Sequence, residues 1–283
     1  MRTNEFVRKD VIIPGLEKEY RILHITDSHV VMCNEKEGEY IIEGDGYWGG
    51  TKLIDFYNLR HKHFRVNDVP TSVLFEKMCD ELAATPDCAD VIVFTGDILD
   101  FFAQSAFDFI KRNIDKLRTP YMFVIGNHDM IFSGMSEEEV RERFKALTGE
   151  NTDLQKMKLG ELTLIGVYNG PYYYPEKSLN DLMSALEGED NVILFQHVPL
   201  STKEFHKHNA DQGKPDWSIG DEGVCNGDGW KTVFAKVQED NSPIKALICG
   251  DCHIEHESKL GNVPQYTSPL NANYPPYLYV IHS

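Results

Sequence analysis

No stretch of the 283-residue chain is apolar over the length a membrane crossing requires, and Met1 to Asp10 lacks the apolar core of an export signal. The expectation is a soluble, cytoplasmic protein without a membrane partner. Cysteine is sparse: Cys33, Cys79, Cys88, Cys225, Cys249 and Cys252 are scattered through the chain, which suits reduced thiols better than a disulfide framework. Cys249 and Cys252 have the CxxC spacing, but no second pair exists to complete a structural zinc site. Basic residues are also few. With 28 Lys and Arg against 45 Asp and Glu, the formal charge of -17 disfavours a broad grip on nucleic acid and leaves small molecules or proteins as better partners. The glycines of Gly44-Asp45-Gly46 and Gly49-Gly50-Thr51-Lys52 lack the spacing of a phosphate-cradling loop, so no nucleoside triphosphate site is expected. Repeats and linkers are absent, and residues 1–283 read as one domain of undetermined oligomeric state.

What the chain does have is a series of short apolar runs, each closed by carboxylate, imidazole or amide side chains. Arg21 to Thr26 ends in Asp27-Ser28-His29, Val91 to Phe94 leads to Gly96-Asp97-Ile98-Leu99-Asp100, and Tyr121 to Ile125 leads to Gly126-Asn127-His128-Asp129. Val192 to Phe195 precedes His197, and Ala246 to Cys249 precedes Asp251 and His253. Such runs read as buried parallel strands, and open α/β sheets gather their ligands beyond the carboxyl ends of strands. A single Gly-Asp or Asp-x-His is ordinary turn chemistry, whereas five clusters in the same position point to one crevice.

Between the runs, helical spacing appears at Val73/Leu74–Met78–Leu82, at Phe107–Ile110–Ile114–Leu117 and at Leu179–Leu182/Met183–Leu186. Ser136 to Glu139 predicts a capping box opening a helix toward Leu147, and further strands are expected at Leu162–Val167 and Tyr277–Ile281. The alternation predicts an α/β fold. Two stretches break the rhythm, about 31–70 and about 201–230, and read as loop insertions that recognise substrate, since each follows a polar cluster.

Aspartate and histidine are ligands for Mn, Fe, Zn and similar ions, and asparagine adds a neutral oxygen. Two ions about 3.5–4 Å apart, bridged by a carboxylate and a water, ionise that water and clamp a phosphoryl group, so no Ser or Cys nucleophile is needed. The ordered series DSH, GDILD, GNHD, QH and GDCH, spanning Arg21 to His256, resembles the calcineurin-like metallophosphoesterases. The resemblance implies a layered α/β/β/α sandwich and a phosphoester hydrolase that attacks with a metal-bridging hydroxide. It also implies that Asp27, His29 and His253 hold one metal ion, that Asn127 and His197 hold a second, and that Asp97 bridges the two. His128 resembles the family's catalytic histidine, with Asp129 orienting its ring. Asp100 stays outside the ligand set, as a capping or supporting residue.

One position departs from the family pattern. Its last motif is usually Gly-His-x-His, and here it is Gly250-Asp251-Cys252-His253. We expect Asp251 to ligate the second metal, directly or through water, and to favour a harder ion such as Mn²⁺. Two divalent ions (about +4), a hydroxide (about -1) and two aspartates (about -2) leave roughly +1, and a third carboxylate takes this to about 0. Phosphodiesters or masked phosphates are therefore expected over simple phosphomonoesters, and a small phosphodiester or nucleotide-like compound is the expected substrate class. Arg60 and His61, in a basic island ending at Arg65, and Tyr172, in a Tyr172-Tyr173-Tyr174 run, are candidate substrate contacts. A phosphoprotein phosphatase, a nuclease, and a non-catalytic interaction module that kept the fold remain alternatives.

Overall fold

The computed structural model describes residues 6–44, 48–131, 134–224, 227–271 and 275–283. The chain begins with β1 (Val7–Ile12), β2 (Tyr20–Ile25), α1 (Glu35–Gly38), α2 (Leu53–His63), β3 (Arg65–Val66), β4 (Val69–Pro70) and α3 (Thr71–Ala84). It continues with β5 (Val91–Phe94), α4 (Gln104–Ile114), β6 (Tyr121–Phe123), α5 (Glu137–Thr148), β7 (Leu154–Leu159), β8 (Leu162–Val167) and α6 (Glu176–Leu186). The last third holds β9 (Val192–Gln196), α7 (Lys203–Asp211), α8 (Gly229–Gln238), β10 (Ile244–Cys249), β11 (His256–Leu260), β12 (Val263–Thr267) and β13 (Tyr277–His282).

Two large sheets result, ordered β1-β13-β2-β5-β6 and β11-β12-β10-β9-β8-β7. Every strand that precedes a polar cluster is parallel to its neighbour of the same kind: β2 to β5, β5 to β6, and β9 to β10. Their carboxyl ends therefore point the same way within each sheet. Among the named strands, antiparallel pairing joins β13 to β2, β7 to β8, β11 to β12 and the small β3–β4 ribbon.

Strand alternation sets the layers. In β2, Leu23 and Ile25 pack outward with Phe75 of α3, Ile110 of α4 and Phe144 of α5, while Ile22 packs inward with Phe195, Ile248 and Tyr279. In β9, Ile193 and Phe195 face the inner layer, and Val192 and Leu194 join Leu182 of α6 and Val233 of α8. Both faces of both sheets are thus covered, giving the expected α/β/β/α sandwich. Full burial of each such side chain contributes roughly 1.5–3 kcal/mol. His24 is a polar member of the inner layer, held between Thr95 and Ser268.

The expected helices form, with differences at their ends. α5 carries the Ser136–Glu139 capping box. α4 stops at Ile114 and leaves Leu117 in the following turn, where its N–H donates to the Ile114 carbonyl at 2.9 Å. The 31–70 and 201–230 stretches are not wholly irregular, since they contain α2 and α7. α2 was hidden because it buries only Leu53 and Phe56, too few to mark a face, although its basic last turn complements the helix dipole. Among the described residues no helix is long and apolar enough to cross a membrane, and Cys33, Cys79, Cys88, Cys249 and Cys252 are free. Cys225, Asp45 and Gly46 lie outside the described residues.

Candidate metal centre

The turns that leave the strands are strained. Asp27, His29, Asp97, Asp251 and His253 all have positive φ, between 40° and 65°. Side chains other than glycine pay on the order of 1–3 kcal/mol there, and such strain persists only where the surroundings fix it. The fixing is visible as backbone stitching: the N–H of Asp27 donates to the Gly96 carbonyl (3.0 Å), that of His29 to Asp97 (2.9 Å), and that of Gly250 to His197 (2.9 Å). Gly96 and Gly126 let two of these turns touch, since a Cβ on Gly96 would lie 2.6 Å from Gly126 Cα.

The convergence brings acceptor atoms together with too few protons among them. His29 Nδ1 lies 2.9 Å from Asp100 Oδ1 and must be its protonated nitrogen, so Nε2 of the neutral ring presents a lone pair. That Nε2 is 3.0 Å from His253 Nε2, which is itself 3.1 Å from Asp27 Oδ1. The second group repeats the logic. His197 Nδ1 donates to the Thr95 carbonyl (2.7 Å), leaving Nε2 facing Asn127 Oδ1 (2.9 Å), Asp97 Oδ1 (3.3 Å) and Asp251 Oδ1 (3.5 Å). Asp97 belongs to both, since its Oδ2 is 3.8 Å from His29 Nε2.

This donor set suits cations. The ligand atoms of Asp27, His29 and His253 lie within 4.8 Å of one another, as do those of Asp27, Asp97 and His197. Without a positive ion, burial opposes charge on the His197 ring, yet Asp97 and Asp251 draw a second proton onto it and hold its pKa well above the ordinary value. Burial likewise opposes ionisation of Asp97, but His197, His128 and His29 keep its carboxyl far below the usual range. A third set, His29, Asp100 and His128, has a different character. Its carboxylate is already paired with Arg60, and both rings meet Asp100 through Nδ1.

Asp100 is fully buried and accepts from Arg60 Nε (2.7 Å), Arg60 Nη2 (2.5 Å) and His29 Nδ1. Burial acts against its ionisation, but these donors hold its carboxyl at about 2. The expected part for Asp129 is therefore overturned. The His128 ring is oriented by Asp100, whose carbonyl oxygen meets Nδ1 at 2.8 Å. Asp129 instead accepts from three backbone N–H groups, of Gly126 (2.8 Å), Asp97 (2.9 Å) and Leu99 (2.8 Å), and so ties two ligand turns together. Burial and the nearby Asp97 charge push its carboxyl up to about 7.

A cleft of about 730 Å³ opens over these groups. His128 lines it, with Nδ1 engaged by the Asp100 carbonyl. α2 supplies Arg60 and His63, and its C-cap Phe64 joins them in one wall, while Lys214, Pro215 and Trp217 come from the 201–230 stretch. Helical spacing corrects the basic island: His63 reaches the cleft, and His61 turns away onto the Tyr57 ring at 5.2 Å. Arg60 reaches the cleft edge but is already paired with Asp100. Tyr172 also lines the cleft, and its hydroxyl donates to Asp251 Oδ1 at 2.9 Å. Tyr174 is buried on Gln196. His206 pairs with Asp216, and His208 stacks on His256.

Sequence reasoning missed His24 and Asn169. Burial pushes His24 down to about 3, so it stays neutral, and its Nε2 meets Thr95 Oγ1 at 2.6 Å beneath the carbonyl that orients His197. Asn169 grips the turn that carries His197. Neither belongs to a polar cluster at a strand end, and an Asn in a turn is too common to stand out.

A family model described as calcineurin-like phosphoesterase matches residues 20–255. A probable cyclic nucleotide phosphodiesterase from Xenorhabdus bovienii is 28% identical over 80 residues, which are 28% of this chain and 32% of that protein, so the match spans about a third of the relative's length. A purple acid phosphatase from yellow lupin is similar over 87% of this chain and 39% of its own, with 13% identity and a TM-score of 0.49. A putative 5'-nucleotidase from Staphylococcus aureus is similar over 88% of this chain and 48% of its own, with 11% identity and a TM-score of 0.47.

Proposed function

The chain belongs to the calcineurin-like phosphoesterase family, and from that premise we propose that it hydrolyses a small phosphodiester or nucleotide-like substrate with two bound metal ions. The observation that carries this reading is the pair of proton-poor acceptor groups, one around His29 and one around His197, sharing the carboxylate of Asp97 beneath a common cleft. Asp27, His29 and His253 would hold one ion, Asn127, His197 and Asp251 the other, with Asp97 between them. Mn²⁺ is favoured by the oxygen-rich second set. When bound, such ions acidify a water and polarise the phosphoryl group.

The chain's own residues divide the remaining work. His128, held by the Asp100 carbonyl, presents its free nitrogen to the cleft, where it protonates the departing oxygen or stabilises charge on the phosphoryl group. Asp100 and Thr95 fix the rings of His29 and His197 so that each offers Nε2. The side chains of Tyr172 and Trp217, with ring centroids 5.9 Å apart, form a wall suited to a planar ester group, and Lys214 and His63 sit at the rim. The relative from Xenorhabdus bovienii supports a nucleotide diester. So does the formal charge, which Asp251 brings to about 0 and which favours a monoanion over a dianion.

The test is turnover of bis(p-nitrophenyl) phosphate and p-nitrophenyl phosphate by full-length protein loaded with Mn²⁺, Fe²⁺ or Zn²⁺. We expect turnover with the diester preferred, and a shift toward the monoester in Asp251→His. No turnover with any ion would favour the non-catalytic module, and an unchanged preference in Asp251→His would remove the charge argument.

A further inference from the structure

The turn after β8 touches all three chain segments that carry the second group of ligands. Asn169 is fully buried, and its Oδ1 accepts from the backbone N–H of His197 (3.1 Å) and of Val198 (3.0 Å). Its Nδ2 donates to the Val198 carbonyl at 2.7 Å, so a single amide side chain grips the His197 turn by two donors and an acceptor. Gly170 lies against the segment that carries Asn127. A Cβ there would come within 2.9 Å of the Gly126 carbonyl carbon and 3.1 Å of the Asn127 nitrogen, so a larger residue would displace that segment. Tyr172 reaches the third segment through its hydroxyl, which donates to Asp251 Oδ1. Its backbone is strained, with φ of +63°, and its N–H closes the turn onto the Asn169 carbonyl at 3.2 Å.

A carboxylate at position 251 needs such a partner more than an imidazole would. A ring presents one ligand nitrogen in a fixed direction, whereas a carboxylate has two equivalent oxygens and rotates about one bond. Tyr172 fixes one of those oxygens on the side facing His197, whose Nε2 is 3.5 Å from it. The first group is supported from elsewhere, since His29 is held by Asp100.

We propose that Asn169, Gly170 and Tyr172 form a brace for the second ion, acting as positioning residues that set Asn127, His197 and Asp251 together. The proposal rests on the two-ion reading above. It adds that the two ions have separate supports, so that one can be weakened without the other.

The experiment is calorimetric titration of metal-free, full-length protein with Mn²⁺, comparing wild type with Tyr172→Phe and Gly170→Ala, alongside thermal melts of the metal-free proteins. Tyr172→Phe removes one oxygen and keeps the ring, so its melt should stay within about 4 °C of wild type. One of its two binding steps should fall 10- to 100-fold while the other is retained, the range typical for loss of a ligand's hydrogen-bond partner. Gly170→Ala, acting through Asn127, should weaken the same step. If wild type takes up two ions and the Tyr172→Phe isotherm superimposes on it, or both steps weaken equally, the brace is refuted and the two-ion reading stands. If wild type takes up fewer than two ions, that reading fails and the brace falls with it.

Discussion

Asp100→Asn probes the other support, because it removes a charge and leaves the shape nearly intact. In the native chain the carboxylate accepts two bonds from Arg60 and one from His29, and it is fully buried. Holding its carboxyl at about 2 rather than at the ordinary 3.8 corresponds to roughly 2 kcal/mol of preference for the charged form. An amide can accept from His29 but cannot match a charge-assisted double bond to Arg60, and its NH₂ would face the Arg60 donors. Affinity for the ion on His29 should therefore fall about 10- to 100-fold, equivalent to about 1.4–2.8 kcal/mol. The metal-free protein should melt a few degrees lower, since 1 kcal/mol moves a chain of this size by about 2 °C. The His128 contact uses the backbone carbonyl of residue 100, which the substitution keeps. Calorimetry with Mn²⁺ and a melting curve read both effects. Unchanged affinity for both ions, or equal loss of both, would refute the assignment of Asp100 as the support of His29.

His128→Asn should lower kcat by 10²- to 10⁴-fold with metal content unchanged, measured by diester turnover and elemental analysis; loss of metal would move His128 into the ligand set. Trp217→Ala should raise KM for an aromatic diester by about 10-fold while leaving that for a methyl diester unchanged, and equal effects on both would remove the stacking role. Glu189, bonded by Lys158, Thr163 and Lys156, has its carboxyl lowered to about 2 from 4.5. Because the folded value is depressed, its contribution is present above about pH 4.5 and fades as pH falls toward 2. Glu189→Gln should thus be less stable than wild type at pH 7 by about 1 kcal/mol or less, with the gap narrowing in acid; urea midpoints at several pH values would show a constant gap if this is wrong.

Much of the centre was legible because its side chains follow strands whose apolar, β-branched character is hard to mistake. Asp27, Asp97, Asn127, His197 and Asp251 needed only their position at strand ends to be grouped. That Asp100 rather than Asp129 holds the His128 ring was not legible, since only the path of the turns decides which of the two faces it. α2 was obscured by its short apolar face, and with it the choice between His61 and His63, which depends on helical phase. Asn169 and His24 act on ligands far away in the chain, Asn169 by gripping His197 and Val198 and His24 by bonding Thr95. Contacts of that kind leave no local pattern.

The central claim is that one cleft holds two ions sharing Asp97. Anomalous diffraction at the manganese edge, from crystals grown with Mn²⁺, tests it most directly. The account predicts two peaks, one bounded by Asp27, His29 and His253 and one by Asn127, His197 and Asp251, with Asp97 touching both. A single peak, or manganese bound away from these residues, would contradict it.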